Sequence, residues 1–451
     1  NLLVSEAGNG PNTGRISLVR RDGTRLTLVD GLPSGINTIG DPAPSGPSGI
    51  EAVGDAYFLT IGSGDVSLRG PTPGTEVPNP NLSSPIFSSV LKLRFSRSVD
   101  LTAGNFLLTP AQHSALKDGA ELAVNNPAGE TLRISLLVDF PDLVGSKSSN
   151  PFGLVSFGNR LYVAEASLNE IKSVNPDTGA YQTVATFPSL PNTAAPPGPP
   201  FVEAVPDSVR LSNGQLLVSF LTGFPFVPGR AEIRRVDPST GASQQVVGGL
   251  NSAIDVLPIP GTTDKLLALE FSTNMLAGAA GRLLLIDPAA GAPTVLAGGL
   301  VTPTNMALDR NTRELFVTEL GPGRVRKITL TSVIPSVLCT GNANTLCLGN
   351  GRFQARASFR TAQGTGVGVA VPLTDTTGHF WFFSADNLEV VVKVVSGCAF
   401  NSRYWVFAAG LTNVEVTLTV TDLQTGTVKT YVNPLNTPFV PIQDTAAFVC
   451  P

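Results

Sequence analysis

The sequence predicts an all-β protein: a six-bladed β-propeller followed by a small disulfide-linked β-sandwich. Three observations carry that reading. Short apolar runs are punctuated throughout by Gly (46) and Pro (37), a four-segment pattern recurs along the first three quarters, and all four cysteines lie in the last quarter.

Charged residues make up only 14% of the 451 residues, so Ser, Thr and Asn supply most of the polarity. Frequent Gly and Pro between short apolar runs favour turns and short strands over helices. A hydrophobic fraction of 42% is enough to build a core, which argues against disorder. The net charge is −4 and no basic stripe is present, so nucleic acid and anionic membrane are poor partners. No run of about 18 apolar residues exists to span a bilayer. The chain opens at Asn1 without a Met, which fits removal of a leader and predicts a secreted or cell-surface bacterial protein.

The repeat is clearest at 150–187. An apolar opening at 150–154 leads to LYVAEA (161–166), EIKSV (170–174), the turn NPDTG (175–179) and YQTVATF (181–187). The second segment returns as LLVSFL at 216, LLALEF at 266 and LFVTEL at 315, and it is already present as LLVSEA at 2 and YFLTI at 57. DPSTG and DPAAG turns begin at Asp237 and Asp287, and VGGL and AGGL close at Leu250 and Leu300, each pair 50 residues apart. That period is within the range for propeller blades. Each segment has strand length, and Asp-Pro-x-x-Gly supplies a Pro-fixed φ and a Gly able to take positive φ between antiparallel strands. One blade cannot bury both its faces, so blades must stack in a ring. Six second strands predict six blades over 1–332. The second is interrupted at about 96–130 by an excursion from one face of the ring, with a short helix after Pro110. The first blade lacks its innermost strand and the sixth its outermost.

From 338 to 451 the spacing stops and a sandwich is predicted. GRFQARASFR (351–360), HFWFFS (379–384), LEVVVKVV (388–395), YWVFAAG (404–410) and the hairpin at 414–432 alternate with period two. Cys339, Cys347, Cys398 and Cys450 have no C-x-x-C spacing, and only His113 and His379 are available as partners for a zinc site. Disulfides in an oxidising compartment follow, with Cys339–Cys347 and Cys398–Cys450 expected among the three possible pairings.

The phrases NPFGLVSFGNRLYVAEA and VPDSVRLSNGQLLVSFLTGFPFVPG resemble the ScyD/ScyE-type bacterial propellers, relatives of NHL-repeat proteins, over residues 2–328. TGFPF (222–226) is the most distinctive part. The last domain resembles an uncharacterised module, with GHFWFF and QDTAAF phrases, found at the ends of exported bacterial proteins. Neither resemblance implies a defined activity or a catalytic residue set.

Several residues could carry chemistry. Glu6, Glu165, Glu270 and Glu319 hold equivalent places at second-strand ends. Carboxylates around a ring could bind a cation, but their repetition argues for structural hydrogen bonds. Asp207, Asp255 and Asn305 lie near the starts of innermost strands, facing the channel. Oxygen ligands from different blades suit Ca²⁺ or Mg²⁺, and the set is similar to that of sugar-lactonase-type propellers; the same residue types are also ordinary turn formers. No histidine occurs in the blade repeats, and no G-x-S-x-G elbow is present, which opposes His-dependent catalysis. The aromatics Phe380, Trp381, Phe382, Phe383, Tyr404, Trp405 and Phe407 could line a carbohydrate-binding face, though alternation assigns most of them to the core. Phe224 and Phe226 sit on a loop, where exposed aromatics suit partner contacts.

The leading expectation is a non-catalytic interaction or structural module, taking a protein or glycan ligand at the cell surface or in extracellular matrix. A metal-dependent lactonase or lyase is the enzyme alternative. A homo-oligomer or polymer completed by strand exchange is the third, motivated by the open first and last blades.

Overall fold

The computed structural model describes residues 1–39, 42–72, 75–192, 199–212, 214–259, 262, 264–309, 313–330 and 339–450. Among the described residues, six sheets of three or more strands follow one another along the chain between residues 2 and 329, with four two-stranded ribbons in their connections. The first holds Leu2–Glu6, Gly14–Val19 and Arg25–Leu32. The second runs Pro47–Val53, Ala56–Ile61, Ser89–Phe95 and Thr131–Asp139, with Leu122–Asn125 on its far edge. The third is Pro151–Phe157, Arg160–Glu165, Glu170–Val174 and Tyr181–Thr186. The fourth is Pro206–Ser212, Gln215–Phe220, Ala231–Val236 and Ser243–Leu250. The fifth is Ala253–Pro258, Leu266–Glu270, Gly281–Ile286 and Thr294–Leu300, and the sixth is Pro303–Asp309, Glu314–Glu319 and Arg324–Thr329.

In each of the third to fifth sheets the strands pair in simple chain order. The first strands of the second to sixth sheets pack side by side in sequence, and Leu2–Glu6 packs on Pro47–Val53. Arg21 of the first sheet comes within 3.9 Å of Asp309 of the sixth, so the two ends of the series are neighbours. This is a β-propeller. Its core is divided into wedges between consecutive sheets. Phe58 and Val90 meet Leu161 and Val163 between the second and third, Leu217 and Ile233 meet Val256 and Leu266 between the fourth and fifth, and Leu267 and Leu269 meet Leu315 and Val317 between the fifth and sixth.

The excursion after Phe95 contains the expected helix, Pro110–Lys117, started by a capping box between Thr109 and Gln112. Its placement differs from a projection off one face. Phe106–Leu107 adds in parallel to the last strand of the first sheet, and Leu122–Asn125 extends the second sheet beyond Thr131–Asp139. The segment therefore bridges the outer rims of these two sheets. His113, fully buried, fixes the bridge: its Nε2 lies 2.9 Å from the Gly31 carbonyl and its Nδ1 3.1 Å from Ser84 Oγ. Burial lowers the pKa of this imidazole, with the Gly31 hydrogen bond opposing.

Two further sheets lie between 346 and 449. One pairs Leu346–Leu348, Phe353–Arg360, Glu415–Asp422 and Val428–Asn433 in that order, with Thr365–Val367 also on Phe353–Arg360. The other pairs Val369–Thr374, Thr377–Trp381, Val390–Gly397, Arg403–Gly410 and Ile442–Val449. Phe353, Ala355, Val416, Leu418 and Val420 of the first face Phe380, Val392, Val394 and Val406 of the second in one core. The boundary expected between 332 and 338 lies outside the described residues. Cysteines 339 and 347 are joined, as are 398 and 450.

An experimental structure is expected to show six blades around the channel, and a seventh would overturn the repeat count. Reducing the disulfides is expected to remove about 2–4 kcal/mol each. The loss should appear as a lower melting temperature of the 346–449 unit with the propeller transition unmoved, and an unchanged sandwich transition would refute it.

Candidate functional site

The candidate site begins with the bulge that opens each innermost strand. In the fourth sheet the pairing shifts register between Pro206 and Ser208, so Asp207 is the extra residue. In the fifth the shift falls between Ala253 and Asp255, and in the sixth between Pro303 and Asn305. Bulges re-aim side chains, and here they decide which groups reach the next blade.

Asp255 is fully buried and its carboxylate is saturated by donors from three sheets. Arg210 approaches with Nε at 3.0 Å and Nη2 at 2.7 Å, the amides of Met306 and Val256 donate at 2.7 and 2.8 Å, and Ser208 Oγ also donates. Arg210 Nη2 reaches on to Asn305 Oδ1 at 3.2 Å and the Met306 carbonyl at 3.1 Å. Burial works against the charge on Arg210, but Asp255 and then Glu51 hold its pKa above the ordinary arginine value. Glu51 in turn accepts from the Ser156 amide and hydroxyl at 3.0 and 2.7 Å, linking the second sheet to the third. Thus Asp255 and Asn305 are brought together, but by an arginine. A cation at Asp255 would have to displace a bidentate guanidinium, one of the strongest ionic hydrogen-bond arrangements available.

Asp207 takes no part in that network. It is 5% exposed, and its Oδ2 has no hydrogen-bond partner among the described residues. Burial pushes its carboxyl well above the usual range, with a backbone hydrogen bond at Leu221 working the other way. Equivalent positions in other sheets hold hydroxyls that bond the second strand: Ser48 to Thr60 at 2.9 Å and Thr304 to Thr318 at 2.9 Å. In the fourth sheet Ser219 Oγ, the counterpart of those threonines, is also unpartnered. Among the described residues no group of three or more His, Cys, Asp or Glu could hold a metal ion.

The repeated glutamates form clamps. Glu165 takes the Asn150 amide, Glu270 the Asn251 amide at 2.9 Å and Glu319 the Val301 amide at 2.6 Å, each just ahead of its own sheet's innermost strand. Glu270 also meets Arg282, and Glu319 meets Arg324 at 2.6 Å. Glu6 lacks such an amide and bonds Ser17 and Arg25 instead. Burial raises the carboxyl of Glu165 against the hydrogen bonds of Leu168, Ser149 and Asn150. At Glu319 burial acts the same way, but Arg324, the Val301 amide and Arg326 prevail and lower it.

Phe224 and Phe226 lie in the loop from the second to the third strand of the fourth sheet. Their rings meet edge to face at 6.2 Å, and Phe224 is 60% exposed. Phe226 and Leu276, the latter 65% exposed on the matching loop of the fifth sheet, line an open depression with Pro225, Val227, Pro228 and Asn274. Strand order puts these loops on the same face as the blade-to-blade connections, which also expose Phe201 and Val301. Among the described residues the opposite loops expose large apolar side chains only in the excursion of the second sheet, at Leu101 and Leu107.

Sequence reasoning missed Arg210, Glu51 and Ser208. A signal was present: VPDSVRLS places a charged residue at an inner-strand position, where burial demands a partner.

No family model and no curated protein matches the chain. Among solved structures it is similar to a chain of a nidogen/laminin complex, at 11% identity and a TM-score of 0.37, over 73% of this chain and 94% of that one. A putative TolB from Agrobacterium tumefaciens matches at 11% identity and a TM-score of 0.29, over 68% of this chain and 88% of that one. Likenesses this distant carry no functional argument.

Because burial raises the Asp207 carboxyl, the folded chain retains a proton that the unfolded chain releases above about pH 3.9. Its contribution to stability is complete below that pH and falls as pH rises toward the raised folded value. Asp207→Asn, which cannot ionise, is therefore expected to be more stable than the parent at pH 7 and to lose that advantage near pH 4. Denaturant titration at both pH values checks this, and an equal difference at both would refute it.

Proposed function

We propose that the chain is an exported, non-catalytic β-propeller of the bacterial ScyD/ScyE type, with a propeller domain at 1–332 and a sandwich at 338–451. It works as an interaction or structural module at the cell surface or in extracellular matrix. The observation that carries this reading is the state of the channel carboxylates: Asp255 is consumed by Arg210, Ser208 and two backbone amides. General acid–base chemistry needs a group within hydrogen-bond reach of a substrate, and this one is spent on the ring. The disulfides support an oxidising compartment. The apolar loops around Phe224 and Leu276 support contact with a partner, since exposed apolar patches on one face mark interaction sites.

The test measures turnover and stability together. Purified protein given a lactone panel with Ca²⁺ or Mg²⁺ is expected to show no hydrolysis, while Asp255→Ala leaves Arg210 unpaired and costs about 3 kcal/mol of stability. Divalent-dependent hydrolysis lost in a still-folded Asp207→Asn or Asp255→Ala protein would establish the enzyme instead.

A second reading, self-assembly by strand exchange, is favoured by two sheet edges. Among the described residues nothing pairs with the free edge of Leu2–Glu6 or of Arg324–Thr329. Such edges are templates for another strand.

A further inference from the structure

The two sheets of the sandwich treat their outer faces differently. On the sheet containing Phe353–Arg360 and Glu415–Asp422, the outward positions are Gln354, Arg356 and Ser358 opposite Thr421, Thr419 and Thr417, an ordinary solvated surface. On the other sheet the inward residues are Phe380, Val392, Val394, Val406 and Ala408, so the outward ones are Trp381, His379, Val391, Val395, Trp405 and Phe407. Both tryptophans of the chain are on this face. Alternation predicts polar groups at such positions, and aromatic ones need a reason.

Trp405 is held in place. A Cβ added at Gly397 would come 2.1 Å from Trp405 Cε2, so the indole lies across the strand where only glycine leaves room. Its Nε1 donates to Asn401 Oδ1 at 2.9 Å, and Phe400, 81% exposed, packs against it at 5.6 Å. Phe407 stands 6.2 Å from Trp405. The result is a fixed aromatic platform.

The charge on this face has one sign. Lys393, paired with Phe407 across the strands, carries its Nζ 5.5 Å from that ring's centre. Arg403 points to the same side as Trp405, two residues before it. Neither forms a salt bridge among the described residues, although most arginines and lysines of the fold do. Register puts Arg403 opposite Gly397, four residues along from Lys393. The Cα atoms of the two cationic residues are thus about 14 Å apart. His379, also outward, has a buried Nδ1 without a partner.

We propose that this outer face, built by Thr377–Trp381, Val390–Gly397 and Arg403–Gly410, binds an acidic polysaccharide. Sugar rings lay their apolar C–H faces on Trp405, Phe407 and Trp381, and uronate carboxylates along the chain pair with Lys393 and Arg403. The charge complementarity selects a polyanion, and the flat, laid-down indole suits a ring face better than a peptide side chain, which needs a pocket. This site is separate from the loops at Phe224 and Leu276, so its failure would leave the propeller's reading as an interaction module untouched, and the reverse.

The experiment is affinity electrophoresis of the full chain in gels containing polygalacturonate or neutral dextran. Retardation is expected with polygalacturonate alone and should weaken as salt screens the ion pairs. Trp405→Ala is expected to weaken binding about tenfold and Lys393→Glu by at least as much. Lys393 is exposed, so its variant stays informative even if Trp405→Ala disturbs the fold; Lys393→Gln separates lost charge from reversed charge. Absence of retardation, equal retardation by dextran, or unchanged binding in folded Lys393→Glu would overturn the proposal. So would a dimer in sedimentation that Lys393→Glu dissociates, which would give the face to a second copy, or binding confined to anionic lipid vesicles.

Discussion

The second to fifth sheets of the propeller are apolar on both faces, and only the adjacent sheets can cover them. The wedges between blades are therefore the constraint on which the rest depends. Val163 and Leu161 of the third sheet have no purpose without Phe58 and Val90 of the second, and Leu267 of the fifth needs Leu315 of the sixth. Burying each such side chain contributes about 1.5–3 kcal/mol, but only once the neighbour is in place, so the ring stands or falls through its interfaces rather than through any one blade.

Polar groups fix what apolar wedges leave loose. Hydrophobic packing is non-directional and would tolerate sliding between blades. Glu165, Glu270 and Glu319 each hold the amide entering their own innermost strand, setting where that strand begins. Arg210 and Asp255 then join the fourth, fifth and sixth sheets, and Glu51 with Ser156 joins the second and third. A bare carboxylate at Asp207 or Asp255 would be costly to bury. The chain meets that cost at Asp255 with a full set of donors, and at Asp207 by favouring the neutral acid.

The sandwich shows the same economy of apolar surface broken on one side. Its core is filled by valines, alanines and phenylalanines, leaving Trp405, Trp381 and Phe407 outside it. The bridged cysteines 398 and 450 lie at the ends of the strands that carry this face, so the disulfide ties Val390–Gly397 to the closing strand Ile442–Val449 beside the platform. Rigidity there reduces the entropy lost when a flexible ligand is bound.

Much of the architecture was legible because it is local. Strand length, period-two alternation, Asp-Pro-x-x-Gly turns and the helix after Pro110 depend on residues a few positions apart, and the sequence by itself determined them, together with the all-β class and the repeat of the second strand at 161, 216, 266 and 315. The cysteine pairing expected among the three possible is the one found. What only the tertiary structure decided is which side chains from different blades meet. Asp207, Asp255 and Asn305 looked alike as oxygen donors near strand starts, yet one-residue bulges sent Asp255 and Asn305 to Arg210 and left Asp207 alone. The excursion at 96–130 was visible as an interruption, but its strand Phe106–Leu107 joins Arg25–Leu32 across more than 70 residues, a pairing no local pattern encodes. The aromatics of the sandwich were divided between core and surface by the register of Val390–Gly397 against Arg403–Gly410, and a slip of one residue would have exchanged them.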